Sequence, residues 1–231
     1  MNKSIFLGTV IFMPLLLLSG CASISVCKVK PVANQPFVAP KKIYVREFTG
    51  ADNVFRVDRK GDSLSEFRSK TANQLAADLV KKLNASVLPA EALAANLQPP
   101  KGNYWLITGA FDRVNQGSRA LRTLFGFGFG GTKIETTVRV ASLSTGKEVE
   151  ILNFNTSGGS NMEPGPGILM GPPDPTTLIP LIWGVSMPGL SKDTRRTSMV
   201  IAAEISDYLT KHGVYPKDPN LKVKLMGSPK A

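Results

Sequence analysis

The sequence is poor in the residues that most often build metal and redox sites. Among its 231 residues there is one histidine, His212, and there are two cysteines, Cys21 and Cys27. A single histidine excludes a histidine cluster for zinc, and two cysteines exclude a disulfide framework. His212 lies in the last turn of a predicted helix, just before Gly213, where it suits a C-terminal capping role.

The chain also lacks an N-terminal apolar run long enough to span a bilayer. A spanning helix needs about 20 apolar residues, whereas the run over residues 5–18 is shorter and is interrupted by Gly8, Thr9 and Pro14. Lys3 precedes this run, and the small residues Ser19 and Gly20 follow it. This layout is typical of a secretory signal peptide.

The cleavage region ends in Cys21, as in the lipobox of bacterial lipoproteins. We therefore predict that residues 1–20 are a signal peptide and that Cys21 receives a diacylglycerol through its thiol. Because Ala22 rather than Asp follows, the usual sorting rule predicts the periplasmic face of the outer membrane in a Gram-negative host. Cys27 then remains as a free or incidental thiol.

Acidic residues are scarce relative to basic ones. There are 28 Lys and Arg against 17 Asp and Glu, for a net charge of +11. Since export is predicted, nucleic acid is not the expected partner. Anionic lipid headgroups or an anionic envelope polymer are the acidic partners that remain, and a solvated basic surface is the alternative.

The pattern along the chain divides it into a lipidated N-terminus and tether over 21–41, a folded domain over 42–213 and a basic tail over 214–231. A helix is predicted from Ser63 to Asn84, with Ser63 and Glu66 at capping-box spacing. Residues 87–88 read as a short strand, and 89–97 as a short alanine-rich helix.

Three strands are predicted at 104–115, 133–143 and 148–157, the last two joined in a hairpin by a turn over 144–147. A final helix is predicted over 192–212. Its apolar face is formed by Met199, Val200, Ile201, Ile205, Tyr208 and Leu209. This order predicts an α/β fold: a two-layer sandwich with a mixed or antiparallel sheet covered by two amphipathic helices.

A glycine-rich segment over 117–131 formally contains G-x-G-x-x-G, but a strand follows it, whereas a dinucleotide site requires a helix. We therefore predict no cofactor. The segment either packs its phenylalanines into its own core or presents them to a partner or membrane. The candidate contact residues are Arg119, Arg122, Phe125, Gly126, Phe127, Gly128, Phe129 and Gly130. The two arginines are expected to meet an anionic group, or to pair with Asp112 or Glu135.

A long insert over 158–190 is rich in Gly and Pro and contains apolar stretches, including Trp183. Its prolines exclude a regular helix and a spanning segment. It is either a flap over the open side of the sheet or a contact surface for the bilayer or a partner.

The blocks Ile107-Thr-Gly109, Gly117-Ser-Arg-Ala-Leu-Arg122, Gly126-Phe-Gly-Phe-Gly130 and Thr145-Gly146 resemble a bacterial lipoprotein family of unknown function, numbered 4410. The resemblance extends over 42–213 and implies no activity, cofactor or catalytic residue. Element order alone is similar to CsgG-type and TolB N-terminal-type periplasmic domains, which does not establish function.

No nucleophile elbow or paired histidines support catalysis, so we do not expect an enzyme. The leading hypothesis is a lipid-anchored, non-catalytic binding or assembly module with an envelope protein partner. The second is a subunit of a self-assembling ring or secretion channel. The third, a hydrolase of envelope material, has no motif in its favour.

Overall fold

The computed structural model describes residues 24–31, 37–117, 132–159 and 188–218. Within these ranges a seven-stranded mixed sheet packs against two helices. The strands are β1 Ile24–Pro31, β2 Lys42–Arg46, β3 Phe55–Arg56, β4 Ala90–Leu93, β5 Tyr104–Asn115, β6 Lys133–Ser142 and β7 Val149–Gly159. The helices are α1 Asp62–Ser86 and α2 Pro188–Lys211. The predicted α/β fold with a mixed sheet and two helices is confirmed.

The strand order is β1-β7-β6-β5-β2-β4. Strands β5, β6, β7 and β1 are antiparallel neighbours, and β2 is parallel to both β4 and β5. Further along β5, on the side that pairs with β2, come a bridge at Thr49 and the short parallel strand β3. The long helix α1 supplies the crossover that a parallel β2–β4 pair requires.

The core lies between the sheet and the two helices. One face of β6 is fully buried through Ile134, Val138 and Val140, in agreement with the alternation of its sequence. The other face carries Lys133, Glu135, Thr137 and Arg139, which are half-buried or exposed. Helix α1 buries the predicted leucine stripe of Leu75, Leu79 and Leu83 against this core.

The prediction of a tether over residues 21–41 needs correction, because strand β1 lies within this range. Its partner is β7, with Ile24 opposite Gly158 and Lys30 opposite Asn153. The β-branched residues Ile24, Val26 and Val29 suit a strand, but only the free edge of β7 gives them a partner. Regular structure therefore begins well before Lys42.

The short helix predicted over 89–97 is wrong, because β4 lies there and pairs with β2 from Ile43 opposite Ala90 onward. The strand predicted at 87–88 is also wrong, since these residues form bends. Pairing with the sheet outweighs the helical preference of the alanines.

The ends predicted for α1 also differ from those observed. The capping box is wrong: the helix begins after Gly61, and no side chain caps it. Ser63 therefore lies inside the first turn. Asn84 does not end the helix, which continues to Ser86. Its side chain instead accepts a hydrogen bond from Ala90 N at 2.9 Å and donates one to Ala90 O at 2.7 Å.

Helix α2 begins at Pro188, four residues before its predicted start and within the predicted insert, so the exclusion of a helix there is wrong for residues 188–190. The helix ends as expected before Gly213, where φ is +79°. Val214 N donates to Leu209 O and Gly213 N donates to Thr210 O, each at 3.0 Å, which is a Schellman motif. His212 Nδ1 lies 2.8 Å from Tyr208 O. The prediction that Met199 belongs to the apolar face is wrong, because Met199 is 45% exposed and lies about 200° around the helix from the buried Ile201.

The first residues of the predicted basic tail pack onto the end of α1. Lys217 N donates to Val87 O, and Asp218 N donates to Ser86 O. The ammonium group of Lys217 donates to Asn84 O at 3.0 Å. The rest of the predicted tail lies outside the described residues.

Candidate functional site at one end of the sheet

Four strands meet in one row at the same end of the sheet. The row runs from Arg56 of β3 to Asn115 of β5, Lys133 of β6 and Gly159 of β7, each opposite the next in the strand ladder. The first residue of β1, Ile24, is opposite Gly158 and so lies beside this row. We call this the loop end, and we call the opposite end, with the turn over 144–147, the hairpin end.

The predicted functional segments all connect to the loop end. Cys21 precedes Ile24 by three residues, the glycine-rich segment joins β5 to β6, and the insert joins β7 to α2. The site residues themselves lie outside the described residues: Cys21, Arg119, Arg122, Phe125, Gly126, Phe127, Gly128, Phe129, Gly130 and Trp183. The structure thus places the start and end of these segments together, which the sequence order alone does not reveal.

A buried polar contact fixes the start of α2 at the same end. Thr132 Oγ1 donates to Asp193 Oδ2, and both side chains are almost fully buried. The guanidinium group of Arg196 lies 3.7 Å from the same carboxylate. Thr194 Oγ1 donates to Asp78 Oδ2 at 3.2 Å and so links α2 to α1.

Basic side chains lie at the end of β3 and just after it, at the loop end. Arg56 and Lys60 are exposed, and the Arg59 guanidinium lies 4.2 Å from the ring centroid of Phe67. Such a cation–π contact holds the side chain of Arg59 along α1. A shallow open groove of about 290 Å³ begins here and is lined by Arg59, Ser63, Glu66, Phe67 and Lys70.

The sheet face opposite the two helices carries a network of polar side chains. Thr137 Oγ1 donates to Asp112 Oδ2 at 2.8 Å, and Asn155 Nδ2 donates to Thr137 Oγ1 at 2.7 Å. Arg139 Nε donates to Glu150 Oε2 at 2.5 Å. These groups bond mainly to one another across β5, β6 and β7, so this part of the sheet face is polar.

Glu135 is the charged centre of this network near the loop end. Lys133 Nζ lies 2.7 Å from its carboxylate, and Ser157 Oγ donates to it at 3.0 Å. The hydrogen bond from Lys133 is the main cause that lowers the pKa of Glu135, with help from Ser157 and the charge of Arg113. Both acidic residues named as partners for the two predicted arginines, Asp112 and Glu135, therefore have partners among the described residues.

The described ranges contain no group of three or more histidine, cysteine or acidic side chains placed to hold a metal ion. None of the helices in these ranges is both long enough and apolar enough to cross a membrane.

Sequence reasoning missed β1, and it did not single out the basic residues at the end of β3 and just after it from the other basic residues. The alternating β-branched residues of β1 were a usable signal for a strand, but its pairing with β7 was not readable. Arg56, Arg59 and Lys60 are ordinary basic residues in sequence, and only the pairing of β3 with the last residues of β5 brings them to the loop end.

The described chain is thus a two-layer α/β domain whose predicted functional segments connect at one end of its sheet. Residues 43–160 match the family described as Domain of unknown function (DUF4410). The match spans just over half of the 231 residues, and the chain belongs to this family. No curated protein sequence matches the chain.

Several solved structures resemble the chain at low identity. A point variant of the PelC dodecamer from Paraburkholderia phytofirmans is 12% identical, with a TM-score of 0.36 over 78% of this chain and 97% of that one. Another PelC dodecamer structure from the same organism is 13% identical, with a TM-score of 0.31 over 76% and 96%. A homologue of the neuraminyllactose-binding hemagglutinin from Helicobacter pylori is 11% identical, with a TM-score of 0.37 over 78% and 95%. At these values the likeness supports no conclusion about function.

Proposed function

We propose that this protein is a lipid-anchored, non-catalytic binding or assembly module at the periplasmic face of the outer membrane. The observation behind the proposal is the loop end, from which the segment with the lipobox, the glycine-rich segment and the apolar insert all leave the sheet. In an anchored protein, segments that leave from the end nearest the anchor are the ones placed to meet a membrane-bound partner.

The distance from the anchor to the fold supports this arrangement. Ile24 is the third residue after Cys21, and three extended Cα–Cα steps reach about 11 Å at most. A lipidated Cys21 therefore holds the loop end close to the bilayer, without the long tether that the sequence predicts. Contact between the loop end and an envelope partner then requires no large movement of the domain.

The polar sheet face opposite the two helices supports binding of a macromolecule rather than catalysis on a small molecule. Thr137, Asn155 and Asp112 are hydrogen-bonded to one another, and Arg139 is paired with Glu150. Polar side chains that are already hydrogen-bonded are typical of the polar rims of protein interfaces.

Two variants test the binding proposal: Phe127→Ser and deletion of residues 162–186. Each is expected to abolish co-purification of the partner from the native host while leaving the far-ultraviolet circular dichroism and the thermal midpoint unchanged. The matched control is Lys101→Ser with Lys147→Ser at the hairpin end, which should keep the partner. Unchanged co-purification in both loop-end variants would refute the proposal.

The lipid anchor has its own test. Cys21→Ser should move the protein from the membrane fraction to the soluble envelope fraction, and mass spectrometry of the wild-type N-terminal peptide should show the diacylglycerol thioether. An unmodified Cys21 peptide from the membrane fraction would exclude the anchor without bearing on the partner.

Self-assembly into a ring or channel is the second candidate, and the two edge strands favour it. Among the described strands, β4 pairs only with β2 and β1 only with β7, so each leaves an edge that another copy could extend. The native mass of the full-length protein in mild detergent, beside Cys21→Ala, distinguishes the candidates. A discrete homo-oligomer supports self-assembly, and a strict monomer contradicts it.

A further inference from the structure

We infer that the loop end is itself a membrane-binding surface that recognises the anionic headgroups of the bilayer around the lipid anchor. This inference rests on the proposed anchor at Cys21 and goes beyond it, because it assigns a ligand to folded residues. The exposed or partly exposed basic residues at this end are Arg56, Arg59, Lys60, Lys70, Lys192 and Arg195.

The position of the anchor decides which end of the domain meets the bilayer. Cys21 lies at most about 11 Å from Ile24, and Ile24 lies beside the row that ends at Arg56. Four strand spacings of about 4.8 Å separate β1 from β3, so the row spans about 19 Å. If this row lies along the bilayer, Arg56 and Lys60 come within the Debye length of about 8–10 Å over which headgroup charge acts.

The charges at the loop end favour an anionic surface. Two acidic groups are paired, since Glu135 lies 2.7 Å from Lys133 and Asp52 is bonded to Arg68. Asp193 is buried and accepts a hydrogen bond from Thr132. The remaining acidic side chains are Asp58, Asp62, Glu66 and Asp78, the last bonded to Thr194 at the start of α2. The six basic side chains still outnumber them, although Lys192 has a partner of its own.

Both helices add positive potential at the same end. Helix α1 starts at Asp62 after Gly61, with no side-chain cap on its first amides. Helix α2 starts at Pro188, has no acidic residue in its first turn, and is held there by Thr132 and Asp193. The N-terminus of a helix is equivalent to about half a positive charge, so the two dipoles reinforce the basic side chains.

Lysine acetylation of the full-length lipidated protein tests the inference, because the chain has exposed lysines at both ends. Lys60 and Lys70 report on the loop end, and Lys101 and Lys147 report on the hairpin end. The lipidated protein is placed in vesicles of phosphatidylethanolamine with phosphatidylglycerol, and the reference is the Cys21→Ser protein without vesicles. We expect the loop-end lysines to be acetylated about fivefold or more slowly in the vesicles than in the reference, and we call this slowing protection. The hairpin-end lysines should be unaffected.

Two comparisons separate headgroup recognition from the short anchor alone. Protection should be largely lost in phosphatidylcholine vesicles, and it should be lost for Lys70 in the variant Arg56→Glu with Lys60→Glu. The matched variant Lys101→Glu with Lys147→Glu should keep it. Equal protection in both vesicle types, or protection of the hairpin end instead, would overturn the inference.

The same experiment distinguishes this inference from the proposed anchor. A Cys21 peptide with its lipid but without headgroup-dependent protection would overturn the inference and leave the anchor intact. If a soluble anionic polysaccharide slows acetylation of Lys60 and Lys70 at constant ionic strength and the anionic vesicles do not, the surface binds a polymer and the inference is overturned. A Cys21 peptide without lipid would refute the anchor, and vesicle-dependent protection of Lys60 in that protein would still support the basic surface.

Discussion

The ring of Phe48 lies directly on Gly109 and occupies the space where a side chain at position 109 would begin. Phe48 is 2% exposed, and its ring centroid lies 6.0 Å from that of Phe111 on the same strand as Gly109. Gly109 belongs to the Ile107-Thr-Gly109 block that resembles family 4410. A close approach of an aromatic ring gives this glycine a physical role in the packing of β5.

Gly109→Ala should lower the free energy of unfolding by about 2 kcal/mol, because the added methyl group overpacks the ring of Phe48. Urea unfolding measures this loss. In the Phe48→Ala background the cost of Gly109→Ala should be much smaller, since the ring is gone. Equal costs in the two backgrounds would mean that the ring does not restrict position 109.

Asn84→Asp should destabilise the protein by about 2 kcal/mol, because a carboxylate accepts from Ala90 N but repels Ala90 O, to which the native amide donates. Thermal unfolding near neutral pH measures the effect. Asn96→Asp, the same change at an exposed turn position, should stay within about 0.5 kcal/mol. Similar losses for both variants would show that added negative charge, rather than the Ala90 contact, is responsible.

Thr136 and Thr156 form a buried hydroxyl pair at 2.7 Å between β6 and β7. Thr136→Val should cost about 1–2 kcal/mol, because it leaves the Thr156 hydroxyl without its partner. The double variant Thr136→Val with Thr156→Val should lie within about 0.5 kcal/mol of the wild type, since neither position then buries an unpaired group. A double variant that loses the sum of both single costs would contradict this reasoning.

Glu204 of α2 is 7% exposed, and burial raises its pKa above the ordinary value of 4.5, with a further contribution from Asp207. The folded state therefore binds this proton more tightly than the unfolded chain. The resulting stability is present at low pH and is lost as pH rises through the raised pKa.

Glu204→Gln should accordingly make the protein more stable at about pH 8 relative to wild type than at about pH 4. Chemical denaturation at the two pH values measures the difference, with the exposed Glu148→Gln as the control. A variant whose gain is the same at both pH values would show that ionisation of Glu204 is not the cause.

The local elements were largely predictable because their signals lie within short stretches of sequence. The leucine spacing of α1, the alternation of β6 and the turn over 144–147 depend on neighbouring residues, and all three agree with the structure. The errors in strand assignment fall where pairing with a distant strand outweighs local preference, whereas the other errors concern the ends of α1, the start of α2 and the position of Met199 on α2. Strands β1 and β4 each exist because an available edge, on β7 and β2 respectively, completes their hydrogen bonds.

The candidate site was predictable in part. Sequence predicted a lipobox, a glycine-rich segment and an apolar insert as separate features, and the site residues named in them lie outside the described residues. It did not indicate that they share one end of the sheet, or that Arg56 and Lys60 lie there too. Those relationships depend on the register of β3, β5, β6 and β7, which pairs residues more than a hundred positions apart, such as Arg56 and Gly159, into one row.

The sequence by itself determined the two-layer α/β class, both long helices, the β6–β7 hairpin and the membership in a family of unknown function. The fold class, the helices and the hairpin follow from periodicity and local turn chemistry, which act over a few residues. The family membership follows from the resemblance of sequence blocks and the family match. Only the tertiary structure decided the strand order, which of the described strands lie at the two edges of the sheet, and the loop end. Those properties arise from hydrogen bonds and packing between segments far apart in the chain, so no local pattern specifies them.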